Sequence, residues 1–167
     1  MVENFRLGDP MFNQYFLIFL VSMVPLIELR GSIVMAVGMD LNYWTALTIC
    51  VIGNMLPVPI IYLFARKVLH WGADKKYIGK FFRFCLEKGE RGGQKLIAKA
   101  GRGGLFVALM LFVGIPLPGT GAWTGTLAAS FLNMGLKTTA TAVSLGVIMA
   151  GIIMGIGSHT ALHVFGF

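Results

Sequence analysis

Glu28 and Arg30 stand inside a stretch, Met11 to Ala65, whose only other charge is Asp40 and whose remaining residues are almost all apolar. A charged side chain at membrane depth costs about 2.5–3.5 kcal/mol on insertion scales, so such groups face a bundle interior or an aqueous cavity and mark a functional site. A carboxylate there can hold a proton or a cation, and a guanidinium can hold an anion. Two positions apart on a regular helix, the two side chains point about 200° apart and cannot pair. In an unwound segment they can converge. Pro25 interrupts the helix, Gly31 allows close backbone approach, and Ser32 is placed to cap the half-helix that follows. The expectation is an ion pair at the tip of a broken helix, beside a half-helix N-terminus whose free N–H groups face a ligand. The structural alternative is an ion pair that only locks the break.

A second proline-containing break lies at Pro116-Leu117-Pro118-Gly119-Thr120-Gly121-Ala122-Trp123. Its prolines stop a helix, and Thr120 is expected to cap the one that follows. The glycines have no Gly-Lys-Ser/Thr after them, which excludes a nucleotide-binding loop. Gly121 with Gly125, and Gly151 with Gly155, form small-xxx-small faces suited to tight helix packing; the second pair is a candidate contact between copies. Asp40 reads equally as a site residue and as a cap near an interface marked by Tyr43 and Trp44. Asn54 with Pro57 and Pro59 interrupts a long helix, as a kink or as a cavity lining. His159 and His163 are four apart without a third ligand nearby, and Cys50 and Cys85 suit neither a disulfide nor a metal site. No metal, cofactor or catalytic constellation is expected, and the chain does not read as an enzyme.

These residues have to be positioned by membrane elements. Only 13 % of the chain is charged while 56 % is hydrophobic, against about 25 % charged for a soluble domain. Eleven of the fourteen Lys and Arg fall between Arg66 and Arg102, opposed by Asp74, Glu87 and Glu90. Such a block reads as a cytoplasmic loop rather than as a nucleic-acid surface. Met1 to Pro10 has neither a basic n-region nor a cleavage site, so no removable signal peptide is expected.

Apolar, basic, apolar is thus the order along the chain, and each apolar half repeats one sequence of signals. A first repeat, 11–69, holds a broken hairpin at 11–40 and a helix at 44–66; a second, 104–167, holds a hairpin at 104–132 and a helix at 138–158. The connector 70–103 carries Tyr77, Ile78, Phe81, Phe82 and Cys85 at helical spacing among lysines and arginines, with Gly89, Gly92 and Gly93 ending that helix and Gln94 to Ala100 as a second piece. Only the two long helices approach the roughly 20 residues a span requires. The expected fold is an all-α integral membrane protein: an inverted repeat of re-entrant hairpin plus transmembrane helix, joined by a basic amphipathic segment. Four or five ordinary spans are the competing reading. Exposed half-helices would need covering, so a homo-oligomer, a dimer at least, is expected beside the lipid bilayer itself.

Pro25-Leu-Ile-Glu-Leu-Arg-Gly-Ser-Ile33 together with Pro116-Leu-Pro-Gly-Thr-Gly-Ala-Trp-Thr-Gly125 resembles the small multidrug export family of bacterial and archaeal membrane proteins, over nearly the whole chain. The resemblance implies export across a prokaryotic cell membrane by a multi-pass protein. More distantly the chain is similar to the DedA superfamily, whose paired re-entrant hairpins and acidic pair imply roles for Glu28 and Asp40 in carrying phospholipids. That superfamily has two arginines near the second hairpin's proline, where this chain has Gly119 and Gly121, with Arg30 in the first hairpin instead. The expected function is a transporter that moves a small or amphiphilic substrate through a midplane site, with proton or sodium coupling. A lipid-phosphate flippase or scramblase and a non-transporting scaffold are the alternatives. The expected site comprises Glu28, Arg30, Gly31, Ser32, Asp40, Asn54, Pro116, Pro118, Gly119, Thr120, Gly121 and Trp123.

Overall fold

The computed structural model describes residues 10–25, 27–75, 79–117 and 119–165. The expectations placed on Met1 to Asp9, Tyr77, Ile78 and Pro118 fall outside that set. Seven helices make up the described chain: α1 Pro10–Met23, α2 Glu28–Gly38, α3 Tyr43–Met55, α4 Pro57–Ala73, α5 Gly79–Gly114, α6 Ala122–Phe131 and α7 Leu136–Phe165.

In α1 the buried residues are Tyr15, Ile18 and Ser22, and in α2 they include Leu29, Ser32, Ile33 and Ala36. That spacing of three and four places each set on one stripe, and the stripes of α1 and α2 meet each other and α3. Pro25 stops α1 because its ring removes an N–H and crowds the preceding turn. Glu28 then turns the chain with φ 50, and α2 starts there. Ser32 therefore lies inside α2, not ahead of it. Its hydroxyl donates to the carbonyls of Glu28 and Leu29, so the expected Ser32 cap is replaced by ordinary back-bonding within a helix that began earlier.

Two helices are long and apolar enough to cross a membrane, Tyr43–Ala73 and Leu136–Ser158. The first is α3 and α4 together, bent at Leu56 because Pro57 and Pro59 cannot donate to the carbonyls one turn back. Asn42 caps it, accepting from the Thr45 N–H at 3.1 Å. α1 and the apolar end of α5, Gly101–Gly114, are shorter apolar helices of about 20 Å each at 1.5 Å per residue. The expected stop at Gly89, Gly92 and Gly93 does not occur. α5 runs helical through all three and kinks at Gly101, where φ is 69 and ψ is 177. Isolated glycines only weaken a helix, whereas Gly101 also adopts a backbone conformation that L side chains rarely take.

The element order recurs. α2 ends with Asp40 at φ 53 and α6 with Asn133, 93 positions on, at φ 56. The bonds around those turns match one for one: Met39, Asp40 and Leu41 donate to Met35, Val37 and Ala36, as Leu132, Asn133 and Met134 donate to Ala128, Ser130 and Ala129. The glycines of the long helices match too. A side chain on Gly53 would strike Ser22 and Phe19 of α1, and one on Gly146, again 93 on, would strike Met110 and Val113 of α5. Across the halves, α2 packs on α7 and α6 on α4.

Candidate functional site at the two helix breaks

Among the described residues, Glu28 and Arg30 form no ion pair with each other; the pair observed is the exposed Arg91–Glu87 on α5. This corrects the expected pair, and the reason is geometric. Glu28 stands at the entry to α2 with φ 50, so its side chain does not share the helical spacing of Arg30, which lies inside the first turn. Each instead reaches into the second break.

The Glu28 carboxylate accepts the N–H of Ala122 on Oε2 and the N–H of Trp123 on Oε1, both at 3.0 Å. These are the first two N–H groups of α6, which have no partner within their own helix. Glu28 is only 6 % exposed, so its charge is met by hydrogen bonds and by the positive end of a helix rather than by water. Gly121 preceding α6 has φ 155, and a Cβ there would collide with the Glu28 carboxyl group. The absent side chain makes room for the carboxylate.

Arg30 does the complementary thing at the other end of the break. One terminal nitrogen donates to the Leu117 carbonyl. The other donates to the carbonyls of Val113 at 3.1 Å and Ile115 at 3.3 Å and to Thr120 Oγ1 at 2.7 Å. Those carbonyls belong to the last turn of α5 and the chain just after it; Ile115 and Leu117 also accept from N–H groups of the turn that follows, while Val113 stands where a helix end leaves its carbonyls without partners. A guanidinium there also faces the negative helix end. Thr120 does not cap α6, as was expected of it. Its hydroxyl donates back to Ile115 and Leu117, and the carboxylate from the other half takes the capping role.

Beside these contacts lies a cavity of about 400 Å³, lined by Glu28, Arg30, Pro116, Gly119, Thr120 and Trp123, with Pro25, Leu117, Thr124, Leu127 and Met154 completing its wall. Its surface is mostly apolar. Six of the twelve expected site residues thus line one cavity, and Gly121 adjoins it through Glu28. Pro118 lies outside the described residues. Gly31 faces the side chain of Ile27. Asp40 is exposed at the far end of α2, about 15 Å along the helix from Glu28, where it makes the turn. Asn54 is buried in α3 at 1 % exposure with its Oδ1 unpartnered among the described residues, and it is not part of the cavity wall.

Some of the wall was not legible in sequence. Thr124, Leu127 and Met154 are ordinary residues of apolar helices, and only the packing of α6 on α7 brings them to the break. Apart from Thr120, the acceptors for Arg30 are carbonyls, which carry no sequence signal. The Gly151 and Gly155 face is spoken for inside the chain: a side chain at Gly151 would meet Leu47 and Leu29, and one at Gly155 would meet Tyr43. It is therefore not a free contact between copies. The Tyr43 hydroxyl donates to the Gly151 carbonyl at 2.9 Å across the same junction.

A family model described as "Putative small multi-drug export protein" matches residues 28–153, from Glu28 through both breaks and most of α7. No curated protein and no solved structure matches the chain.

Proposed function

The chain belongs to the small multi-drug export family, and from that premise we propose that it is a membrane carrier whose substrate occupies the cavity between the two helix breaks. The observation that carries this reading is the crossing of Glu28 and Arg30 from the first break onto both helix ends of the second, beside a cavity of about 400 Å³. Both long helices are of spanning length, whereas the helices flanking each break are not. In this reading each broken pair enters and leaves on one side, the halves are inverted, and the breaks meet near the midplane, the plan of many secondary carriers.

Glu28 and Arg30 are the tie between the halves in this proposal. Their polar atoms are already engaged by backbone groups and by Thr120, so the cavity offers its substrate mainly apolar surface from Trp123, Leu127, Met154 and the prolines, with Thr124 as a polar contact. A small amphiphile suits such a wall better than a strongly charged solute. Protonation of Glu28 or arrival of a cation would weaken its grip on α6 and so couple an ion to movement of the breaks.

The test is flux of a fluorescent amphiphilic dye from liposomes containing the purified protein. Leu127→Trp fills the cavity and should lower flux about tenfold or more, since overfilling a wall of this kind costs about 1–3 kcal/mol of binding. Ile60→Trp, on an exposed face of α4, should leave flux unchanged. Equal flux from wild type and Leu127→Trp would overturn the assignment of the cavity.

A further inference from the structure

A second cavity of about 380 Å³ lies at the other end of α6, lined by Arg102, Leu105, Asn133, Met134, Gly135 and Thr138. α6 spans ten residues, so the two cavities are separated by about 15 Å of helix. No acidic side chain lines this one. Its polar groups are a guanidinium, a side-chain amide and a hydroxyl, a set that can donate to an anion. Arg66 stands behind it: Arg66 donates to the Tyr62 hydroxyl at 3.3 Å, and Tyr62 donates to the carbonyl of Met134 in the wall.

What lies next to it gives the anion a source. α5 changes character at Gly101. The residues after it form an apolar helix, Gly101–Gly114, which has Arg102 near its start. Before it, Lys80, Arg91, Lys95 and Lys99 are all exposed, and the four-residue spacing of the last three stacks them on one helix face. Glu87 offsets part of this charge through its contact with Arg91. Phe84 on the same helix is 59 % exposed. A basic stripe carrying an exposed aromatic ring and leading into an apolar helix is the arrangement of a segment lying at the headgroup level of a bilayer.

We propose that the cavity at Arg102, Asn133 and Thr138 seats the phosphate-bearing headgroup of an anionic phospholipid, drawn there by the stripe on α5. The acyl chains run along the apolar surface of α5 while the phosphate takes the guanidinium of Arg102 and the Thr138 hydroxyl. This site is separate from the cavity at the breaks and requires no transport by the protein.

Native mass spectrometry of the full chain, released from nanodiscs of equal phosphatidylcholine and phosphatidylglycerol, tests it. Wild type should retain one phosphatidylglycerol in preference to phosphatidylcholine. Arg102→Gln should lower that retention about tenfold or more, as expected for a lost hydrogen bond to a charged group. Lys95→Gln should lower it about fivefold through the surface field alone. Thr138→Val gives an independent variant should Arg102→Gln fail to fold by circular dichroism. No preference in the wild type, or the same preference in Arg102→Gln and Thr138→Val, would overturn the site. A third arm titrates inorganic phosphate into the detergent-solubilised protein. Displacement of the lipid by phosphate at millimolar concentration would identify a free-phosphate site and overturn the lipid assignment.

Discussion

Glu28 and Arg30 show how two opposite charges can be held in an apolar bundle without pairing. Helix ends serve as their counterions: a carboxylate on the first N–H groups of α6 and a guanidinium on the last carbonyls of α5. A prediction follows about how their losses combine. Glu28→Gln retains one acceptor and strands one buried N–H, so it should cost about 1–3 kcal/mol. Arg30→Gln removes the side-chain donor to Val113 and the charge facing the end of α5, and should cost a similar amount. A direct ion pair would make the double variant milder than the sum, because the stranded charge disappears with its partner. Here each residue serves a different helix end, so the double variant should lose more stability than either single one, as measured by thermal or denaturant unfolding in detergent. A double variant as stable as either single one would contradict the geometry. Gly121→Ala should behave like Glu28→Gln, because its methyl group displaces the carboxylate from α6; unchanged stability in that variant would show that the carboxylate is not held there.

At the scale of elements, glycine positions separate packed helix faces from open ones. On α7, a side chain at Gly155 would run into Tyr43, whereas at Gly157 nothing lies within 4 Å. Gly155→Ala should therefore destabilise by about 1–3 kcal/mol through overpacking. Gly157→Ala should be neutral or stabilise by up to about 1 kcal/mol through helix propensity. Melting temperatures of the two variants in one detergent decide this, and the opposite order would misplace the contact between α3 and α7. The matched contacts of Gly53 with α1 and Gly146 with α5 put the same demand on both halves. Valine at either position should be comparably disruptive.

For the whole molecule, the proposed arrangement has consequences for depth and assembly. Nitroxides attached at Val24 and Leu117, one at each break and both exposed, should report oxygen accessibility typical of the bilayer interior in nanodiscs. One at Arg91 should report an aqueous or interfacial position. Aqueous accessibility at both breaks would contradict re-entrant hairpins. Large apolar side chains such as Trp44, Ile60, Phe64 and Trp71 remain exposed along α3 and α4. With the Gly151 and Gly155 face occupied internally, this surface is where lipid or a second copy would pack. We expect a homodimer in nanodiscs by mass measurement, and a monomer across a wide concentration range would count against it.

The sequence by itself determined the membrane character of the chain, the order of its elements and the location of both breaks. Those depend on local physics: apolar runs long enough to span, prolines that cannot continue a helix, and charge concentrated in one connector. It also singled out Glu28, Arg30 and the Pro116–Trp123 segment, because charge and helix breakers stand out against an apolar background. It could not say where α2 begins, and that was the origin of the expected ion pair and the expected Ser32 cap. With Glu28 at φ 50 at the entry to α2, the two side chains reach opposite ends of the second break. Apart from Thr120, their partners are backbone groups more than eighty residues away, made available only because α5 ends and α6 starts at the second break. Backbone donors and acceptors are the same at every position, so nothing in the residue types marks them. Which of them go unsatisfied, and which charge is near enough to meet them, is decided by tertiary packing alone.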